Sequence, residues 1–498
     1  MANLKSLAKD TVIYGFSSIV GRFLNYLLVP LYTQSLSAAS GGYGEITNIY
    51  GYVALLLVIL TFGMETTFFR FANKSEENPN TVYTTTLIAV GTVALAFVAA
   101  VLGFLPWISQ AIGYAEHPSY VGVMAVVVAL DAFQAIPFAY LRYQHRPIKF
   151  AALKLLFIVL NIILNLVYFL LLPALYKSYP DIIGKIYDPT VGAGYAFYLN
   201  LVCTGTITFF FWKEIFGVKY VLDRKLLKRM LSYSWPLLVL GIAGILNQTA
   251  DKILYRFIDP THNGKVQLGI YGAAVKIAMI MALITQAFRY AYEPFVFGKS
   301  NDKDNKETYA QAMKYFIIFT LLAFLVVIAW IDVLKYFIAA DYWDGLKVVP
   351  IVMAAEIMMG IYFNLSFWYK LIDKTIYGAW FSLAGCVVLF AVNILFIPEY
   401  GYWACAWGGV AGYGTAMVLS YVVGQRKNPI PYPVKDCLLY IVVAVVAFCA
   451  MQWAEDRLPV WASLTLSTLL ILLFTALVVK RDLPLSSLPV IGKKFKKQ

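Results

Sequence analysis

The sequence predicts an all-α polytopic membrane protein with 14 transmembrane helices, and three observations support this fold class. The chain of 498 residues is 61% hydrophobic and only 13% charged, whereas a soluble protein carries about 25% charged residues. Its apolar stretches are long enough to cross a bilayer, which takes roughly 20 residues. The basic residues between these stretches alternate between rich and poor loops, as the positive-inside rule requires.

Each apolar stretch is expected to form a helix, because an open sheet edge cannot satisfy its backbone polar groups in lipid. The first stretch follows two lysines and is too long for the apolar core of a signal peptide, so we expect it to be retained as a helix. The 14 predicted spans, in chain order, are Thr11–Thr33, Tyr43–Met64, Val82–Leu105, Ser119–Leu141, Leu155–Leu175, Val191–Trp212, Met230–Tyr255, Leu268–Tyr292, Ala312–Phe337, Leu346–Tyr369, Thr375–Ile397, Tyr402–Gly424, Cys437–Trp453 and Val460–Val479.

The distribution of basic residues predicts the orientation. With the N-terminus inside, 28 of the 40 Lys and Arg residues fall on the cytoplasmic side and 5 on the outer side. We therefore predict that both termini are cytoplasmic. The net charge of +13 is explained by these loops, so no nucleic-acid partner is expected. The five cysteines form neither a CxxC motif nor a disulfide framework, and we predict no metal site and no cofactor.

An internal repeat predicts how the helices are grouped. Tyr43-Gly44 aligns with Tyr271-Gly272 at an offset of 228 residues, although chance matching in a low-diversity sequence is an alternative. The offset spans six helices, an even number, and so gives two repeats of the same orientation, as in transporters with parallel repeats. The predicted domains are an N-terminal lobe of spans 1–6 (residues 1–212), a cytoplasmic linker (213–229), a C-terminal lobe of spans 7–12 (230–424), and spans 13–14 with a basic tail (425–498).

Two segments carry a family resemblance. These are "LAKDTVIYGFSSIVGRFLNYLLVPLYTQSL", which leads to "GGYGEI", and "LLKRMLSYSWPLLVLGIAGILNQTADKILYRF", which is followed by "LGIYGAAVKI". They resemble the polysaccharide flippases of the multidrug/oligosaccharidyl-lipid/polysaccharide exporter superfamily. The resemblance implies alternating-access movement of undecaprenyl-pyrophosphate-linked oligosaccharides across the bacterial inner membrane, for O-antigen, capsule or exopolysaccharide synthesis. It also implies a central cavity lined by helices 1, 2, 7 and 8. The implied partners are this lipid-linked oligosaccharide, bilayer lipids and, as candidates, other glycan-assembly membrane proteins.

Three basic residues inside spans are the predicted substrate-binding residues: Arg22, Lys252 and Lys276. A charge at midplane costs about 2.5–3.5 kcal/mol, so it is expected to face the protein interior or a wet cavity. The guanidinium of Arg22 suits phosphate oxygens, but an ion pair with Asp131 or Asp251 is an equal alternative. Asp251 and Lys252 are consecutive and point about 100° apart, so we expect one to line the cavity and the other to pair sideways. Lys276 can alternatively extend towards the outer surface.

A second set of charged residues is predicted to act in gating or coupling. Asp131 and Glu356 fall in equivalent spans, and Glu65 and Glu293 both end spans on the inner side. Carboxylates inside spans relay protons in many transporters, but structural pairing is equally open for the first two, and gate salt bridges or solvated helix ends for the others. The full set is Glu65, Asp131, Asp251, Arg289, Glu293 and Glu356.

Three functions remain open at this point. A lipid-linked oligosaccharide flippase is the leading hypothesis. A cation-coupled multidrug exporter of the same fold would require an acidic cavity, which the three basic residues disfavour. A membrane glycan polymerase or ligase would require a sizeable outer loop, and the longest outer loop, Tyr176–Thr190, is short. We therefore predict a transporter and not an enzyme, with no catalytic residues.

Overall fold

A computed structural model describes residues 26–73, 77–261, 263–298, 305–372 and 374–482, with side chains in all of these except 290–298 and 305. The regular elements in these ranges are helices, and no strand occurs among them. The α-helices of the described ranges are α1 (Leu28–Ser35), α2 (Gly42–Thr61), α3 (Met64–Ala72), α4 (Pro79–Gly103), α5 (Leu105–Ala111), α6 (Pro118–Tyr143), α7 (Pro147–Leu166), α8 (Leu172–Ser178), α9 (Pro180–Ile183), α10 (Gly194–Phe210), α11 (Trp212–Phe216), α12 (Arg224–Ile258), α13 (Gly264–Gly298), α14 (Asn305–Ala329), α15 (Ile331–Leu334), α16 (Val349–Leu365), α17 (Phe367–Leu371), α18 (Ile376–Tyr400), α19 (Tyr402–Lys427), α20 (Val434–Arg457) and α21 (Val460–Arg481).

The helices of the described ranges follow the predicted spans in order. Within the described ranges, 11 helical segments are long and apolar enough to cross a membrane, and they coincide with spans 2–5, 7–11, 13 and 14. Spans 6 and 12 are also helical, as α10 and α19, whereas span 1 lies mostly outside the described residues. The all-helical membrane class is therefore confirmed. The total of 14 and the orientation of the termini stay predictions.

The described residues group into two compact units. The first unit falls within Met1–Ala273 and Ser382–Gly408, and the second within Ala274–Phe381 and Gly409–Gln498. In the first unit α6 packs on α2, α4 and α10, and α12 packs along α2. In the second unit α14 packs on α16, α20 and α21. The predicted six-plus-six division concerns the symmetry of the chain, which these contacts do not test, and it stays a prediction.

The helix of span 2 is broken near its C-terminal end. Phe62 and Gly63 adopt left-handed backbone conformations, with φ of 50° and 66°, and α3 begins directly after them with Glu65 in its first turn. A positive φ is uncommon for a bulky residue, and such strain is concentrated at functional sites. A Cβ on Gly63 would lie 3.0 Å from the Cβ of Leu237, so α12 passes close to this break.

The helix of span 5 contains a wide turn. A π-helical segment, Val167–Leu171, joins α7 to α8. Pro173 has no N–H group, so the carbonyl of Phe169 lacks its usual α-helical donor. Ser35 Oγ donates to this carbonyl at 3.3 Å, and Tyr32 donates from its hydroxyl to Asn165 Oδ1 at 2.8 Å. The first contact attaches α1 to the wide turn, and the second attaches it to the end of α7.

The predicted linker 213–229 is partly helical. After α11 the chain is irregular until Asp223, whose side chain accepts hydrogen bonds from the backbone N–H groups of Lys225 at 2.8 Å and Leu226 at 3.0 Å. This is the usual N-cap arrangement, and it starts α12 at Arg224. The last six residues of the predicted linker therefore form the first turns of the helix of span 7.

The end of span 9 differs from the prediction. We expected Ala312–Phe337, but α14 ends at Ala329, eight residues earlier. The following residues form short helices, in which Lys335 Nζ lies 2.6 Å from Asp332 Oδ1. The two side chains are only partly exposed, and this charged segment follows directly after the apolar stretch that forms α14.

A charged cluster joins the last two long helices to α14 in the second unit. Lys314, with 7% of its side chain exposed, pairs with Asp436 at 3.3 Å and also with Asp482. Arg481 pairs with Asp436 at 2.5 Å, and the Tyr440 hydroxyl donates to Asp482. Burial acts to raise the pKa of Asp482, but the hydrogen bonds from Lys314 and Tyr440 outweigh it, so its pKa lies below the usual value. The cluster neutralises a buried cation with two carboxylates.

Candidate functional site

A cavity of about 560 Å³ lies inside the first unit, between α2, α3, α6, α7 and α10. Its polar lining is unusual for a space between membrane-spanning helices, because it contains four charged side chains. Phe138, Phe150 and Phe157 are among the residues that form its apolar walls. The charged residues of the cavity are Glu65, Asp131, Arg142 and Lys154.

Helix periodicity explains how these side chains converge. Asp131, Gln134, Phe138 and Arg142 are spaced by three, four and four residues along α6, so they lie on one face. Along α7, residues 150, 154 and 157 follow the same pattern. Pro147 occupies the first position of α7, where a missing N–H costs nothing.

Glu65 and Arg142, which both line the cavity, form an ion pair. The Nη2 group of Arg142 donates to Glu65 Oε1, and the guanidinium carbon lies 4.9 Å from the centre of the Phe69 ring. The buried Nε of Arg142 has no hydrogen-bond partner among the described residues. Glu65, which we predicted as a gate residue, is thus paired with Arg142. The pair leaves the Nε–H donor of Arg142 unused.

Lys154 and Asp131 lie deeper in the same space. The Lys154 ammonium is 4.0 Å from the centre of the Phe138 ring, and no hydrogen bond joins it to another described residue. Asp131 accepts a long hydrogen bond of 3.4 Å from Thr204 Oγ1, and it interacts electrostatically with Lys154. The two acids and two bases of the cavity cancel in formal charge, yet both bases keep unused donors.

At its other end, α2 packs very tightly against the start of α13. A Cβ on Gly44 would overlap the carbonyl oxygen of Lys265, and a Cβ on Gly272 would lie 2.5 Å from Thr47 Oγ1. Glu45 pairs with Lys265 at 2.5 Å. We call these five residues the outer seam, because the predicted topology places them on the outer side. The two glycines belong to the repeated Tyr-Gly pairs, and each makes room for the other helix.

Lys252 and Asp251 lie next to the outer seam and are paired with each other. Lys252 Nζ is 3.1 Å from Asp251 Oδ1 and donates to the carbonyl of Gln248 at 2.7 Å. The Tyr271 hydroxyl donates to Asp251 Oδ2 at 2.7 Å, and Asn48 Nδ2 donates to the Lys252 carbonyl at 2.7 Å. The long lysine side chain bends back to its neighbour, a contact that the helical angle alone did not predict. A substrate-binding role for Lys252 stays a prediction.

The other predicted site residues lie elsewhere. Lys276, Arg289 and Glu356 belong to the second unit and are half-buried, and the guanidinium carbon of Arg289 lies 5.3 Å from the centre of the Phe363 ring. Arg22 and the side chain of Glu293 lie outside the described residues. In the part of the chain that the structure describes, no group of three or more His, Cys, Asp or Glu residues could hold a metal ion.

Sequence reasoning missed Arg142 and Lys154 as cavity residues. We assigned both to a cytoplasmic loop, because span 4 was predicted to end at Leu141 and span 5 to begin at Leu155. The helices extend beyond these limits, to Tyr143 and back to Pro147. Pro147 was the available signal, because proline is favoured at the first position of a helix.

Comparison with known proteins identifies the family. Residues 7–290, more than half of the chain, match the family model described as polysaccharide biosynthesis protein. The chain belongs to this family. The family resemblance found in the sequence is thereby confirmed. A search of curated proteins finds no match to this chain.

Solved structures identify the fold of this polysaccharide biosynthesis protein. An inward closed form of the lipid II flippase MurJ superposes with a TM-score of 0.69 at 17% identity, covering 95% of this chain and 99% of that one. An inward-facing MATE family multidrug transporter of the MOP superfamily gives 0.60 at 16% identity, covering 84% and 94%. The MATE multidrug transporter DinF-BH gives 0.59 at 16% identity, covering 85% and 96%. The protein is a multi-pass membrane protein with the fold of these transporters.

Proposed function

We propose that this protein is a flippase that moves an undecaprenyl-pyrophosphate-linked oligosaccharide from the inner to the outer leaflet of the bacterial inner membrane. The observation that carries the proposal is the match to the polysaccharide biosynthesis family over residues 7–290. The flippase fold supports translocation rather than catalysis, so we propose a transporter and not an enzyme. The product would be used for O-antigen, capsule or exopolysaccharide synthesis, and other glycan-assembly membrane proteins are candidate partners.

In this proposal basic side chains bind the diphosphate of the substrate. Arg22, Lys252 and Lys276 remain the proposed ligands, because cationic side chains deep in a membrane are costly unless they face a wet cavity or a partner. Lys252 would have to leave Asp251, from which it is 3.1 Å away, before it could bind an anion. Proposed gating residues are Glu65, Asp131, Asp251, Arg289, Glu293 and Glu356.

Alternating access requires a barrier that closes one side of the path. The outer seam supports such a barrier, since α2 and α13 touch through Gly44 and Gly272 and are joined by the Glu45–Lys265 ion pair. Under the proposed topology, with both termini in the cytoplasm and 14 helices, this contact lies on the outer side. The seam would have to open for the sugar to leave.

A multidrug exporter is the second candidate, and the similarity to MATE transporters favours it. Organic cations require an acidic binding space, but Glu65 and Asp131 share their cavity with Arg142 and Lys154. The balanced charge of the described cavity therefore favours the flippase.

Replacement of Arg22 by Ala tests the proposal in cells. We expect loss of surface glycan at unchanged protein level, because the diphosphate would lose its midplane ligand. Lys228→Ala, at an exposed lysine, is the control and should export normally. Normal surface glycan in the Arg22→Ala strain would contradict this role for Arg22. Wild-type protein that extrudes a cationic rhodamine dye and does not restore glycan export would favour the multidrug exporter.

A further inference from the structure

The cavity of the first unit contains unused hydrogen-bond donors on both of its cations. Lys154 carries three N–H groups and donates none of them to a described residue, and the buried Nε of Arg142 is also without a partner there. A buried donor without an acceptor is costly, and a cation in a membrane-spanning helix is costlier still. The cavity therefore favours an incoming group rich in acceptors and negative charge.

The carboxylates of the cavity already provide part of that charge. Glu65 accepts from Arg142, and Asp131 interacts with Lys154 without a hydrogen bond between them. The second pair is the weaker one, because Asp131 takes its hydrogen bond from Thr204 at 3.4 Å. An anion that entered the space would thus compete most easily with Asp131 for Lys154.

We propose that this cavity is an anion site, in which Lys154 and Arg142 bind a phosphate-type group in competition with Asp131 and Glu65. The guanidinium binds phosphate oxygens through paired N–H groups, and the ammonium acts as a point charge. A volume of about 560 Å³ accommodates a diphosphate with water. That the natural ligand is the diphosphate of a lipid-linked glycan rests on the function proposed above.

Competition makes the site dependent on protons. A proton on Asp131 removes the negative charge that competes for Lys154, so anion binding strengthens as the pH falls. The charged groups that line this space are Glu65 of α3, Asp131 and Arg142 of α6, and Lys154 of α7. Tyr50 of α2 lies outside the lining but interacts electrostatically with Asp131 and with Cys203 of α10. Tyr50 accepts a hydrogen bond from Asn200 at 2.7 Å.

Binding of inorganic pyrophosphate to the purified full-length protein in nanodiscs tests the site. We expect Lys154→Met to weaken binding by at least about tenfold, since a charge-assisted hydrogen bond is lost. Asp131→Asn should tighten binding by about tenfold, because the competing charge is gone. Lys228→Met, at an exposed lysine, should bind as the wild type does. Equal binding by Lys154→Met and wild type, or weaker binding by Asp131→Asn, would overturn the proposal.

Two further measurements control for misfolding and test the competition with Asp131. The double variant Lys154→Met/Asp131→Asn removes one base and one acid, so the cavity stays balanced in formal charge. We expect it to lose pyrophosphate binding, and this loss cannot be explained by misfolding due to an unpaired Asp131. Sulfate keeps its charge between about pH 8 and about pH 3, a range that includes the usual Asp pKa of about 3.9, so its wild-type affinity should rise over this fall in pH, and it should rise less in Asp131→Asn. A wild-type affinity that is flat across this range would overturn the competition.

Lipid composition distinguishes the sources of the phosphate group. Phosphatidylglycerol in phosphatidylcholine nanodiscs that displaces pyrophosphate from the wild type but not from Lys154→Met supports a site for bilayer phospholipid. Lack of displacement supports the diphosphate of the glycan lipid. If the protein translocates the glycan lipid in vesicles but pyrophosphate binding does not depend on Lys154, the proposed anion site is wrong and the flippase function stands. If binding depends on Lys154 but no translocation occurs, the site stands and the function falls.

Discussion

At the scale of single residues, two glycines, which have no side chain beyond a hydrogen atom, set the distance between α2 and α13. Gly44 and Gly272 come from the repeated Tyr-Gly pairs, and each one faces atoms of the opposite helix. Small residues at a helix crossing allow close backbone approach in membranes, where packing rather than hydrophobicity drives association. The close packing of α2 against α13 at the outer seam therefore depends on Gly44 and Gly272.

Gly44→Ala should weaken the seam. Its new Cβ would overlap the backbone carbonyl of Lys265, and overpacking of this kind typically costs about 1–3 kcal/mol. We expect a lower melting temperature of the purified protein and reduced glycan export. Gly205→Ala in α10 is the matched control, since no atom lies within 4 Å of its new Cβ, and alanine favours helix over glycine. Equal melting temperatures for the two variants would contradict the close contact.

The sequence identified charged residues within spans, but not their partners. Glu65, Asp131, Asp251 and Lys252 were all found, because a charge in an apolar stretch is conspicuous. That Lys252 pairs with its own neighbour, and that Glu65 faces Arg142, depends on side-chain conformations and on helix packing, which periodicity does not specify.

At the scale of helices, α14, α20 and α21 are held together by the cluster around Lys314. This cation has 7% of its side chain exposed and lies between Asp436 and Asp482. A buried charge left without its partner is strongly destabilising. The cluster thus makes the docking of the last two helices sensitive to the ionisation of Asp482.

Asp482→Asn should lower thermal stability near neutral pH and have a smaller effect in acid. The pKa of Asp482 is below its usual value in the folded protein, so the folded state binds the proton less readily than the unfolded chain does. The stabilisation is therefore present above the unfolded pKa of about 3.9 and is lost as the pH falls through the folded pKa. Melting curves of both proteins at several pH values measure this. A constant difference down to about pH 2 would contradict it.

Helix existence was predictable and helix ends were not. Hydropathy finds the apolar middle of a span, but Arg142 lies in the last turn of α6 and Lys154 in the first turns of α7, which we assigned to a loop. The left-handed break at Phe62 and the π turn before Pro173 are local conformations set by packing. Each of these features lies next to the cavity or to the contact between α1 and the wide turn. The geometry of the candidate site was therefore the part of the structure that the sequence predicted least well.

At the scale of the whole molecule, composition and charge were sufficient for the class. A chain that is 61% hydrophobic, with basic residues on alternate sides, is a multi-pass membrane protein, and the transporter fold agrees with it. The grouping into units was not predictable in the same way, because it depends on long-range contacts such as that of α12 with α2. Substrate identity depends on the site and not on the fold.

Reconstituted translocation tests the proposed function most directly. Purified protein in vesicles is given a fluorescent undecaprenyl-pyrophosphate-linked saccharide, and an impermeant quencher reports the labelled headgroups that remain outside. We predict protein-dependent movement of the headgroup between leaflets, which is lost in Arg22→Ala and kept in Lys228→Ala. Headgroups that stay in their original leaflet with folded wild-type protein present would contradict a flippase.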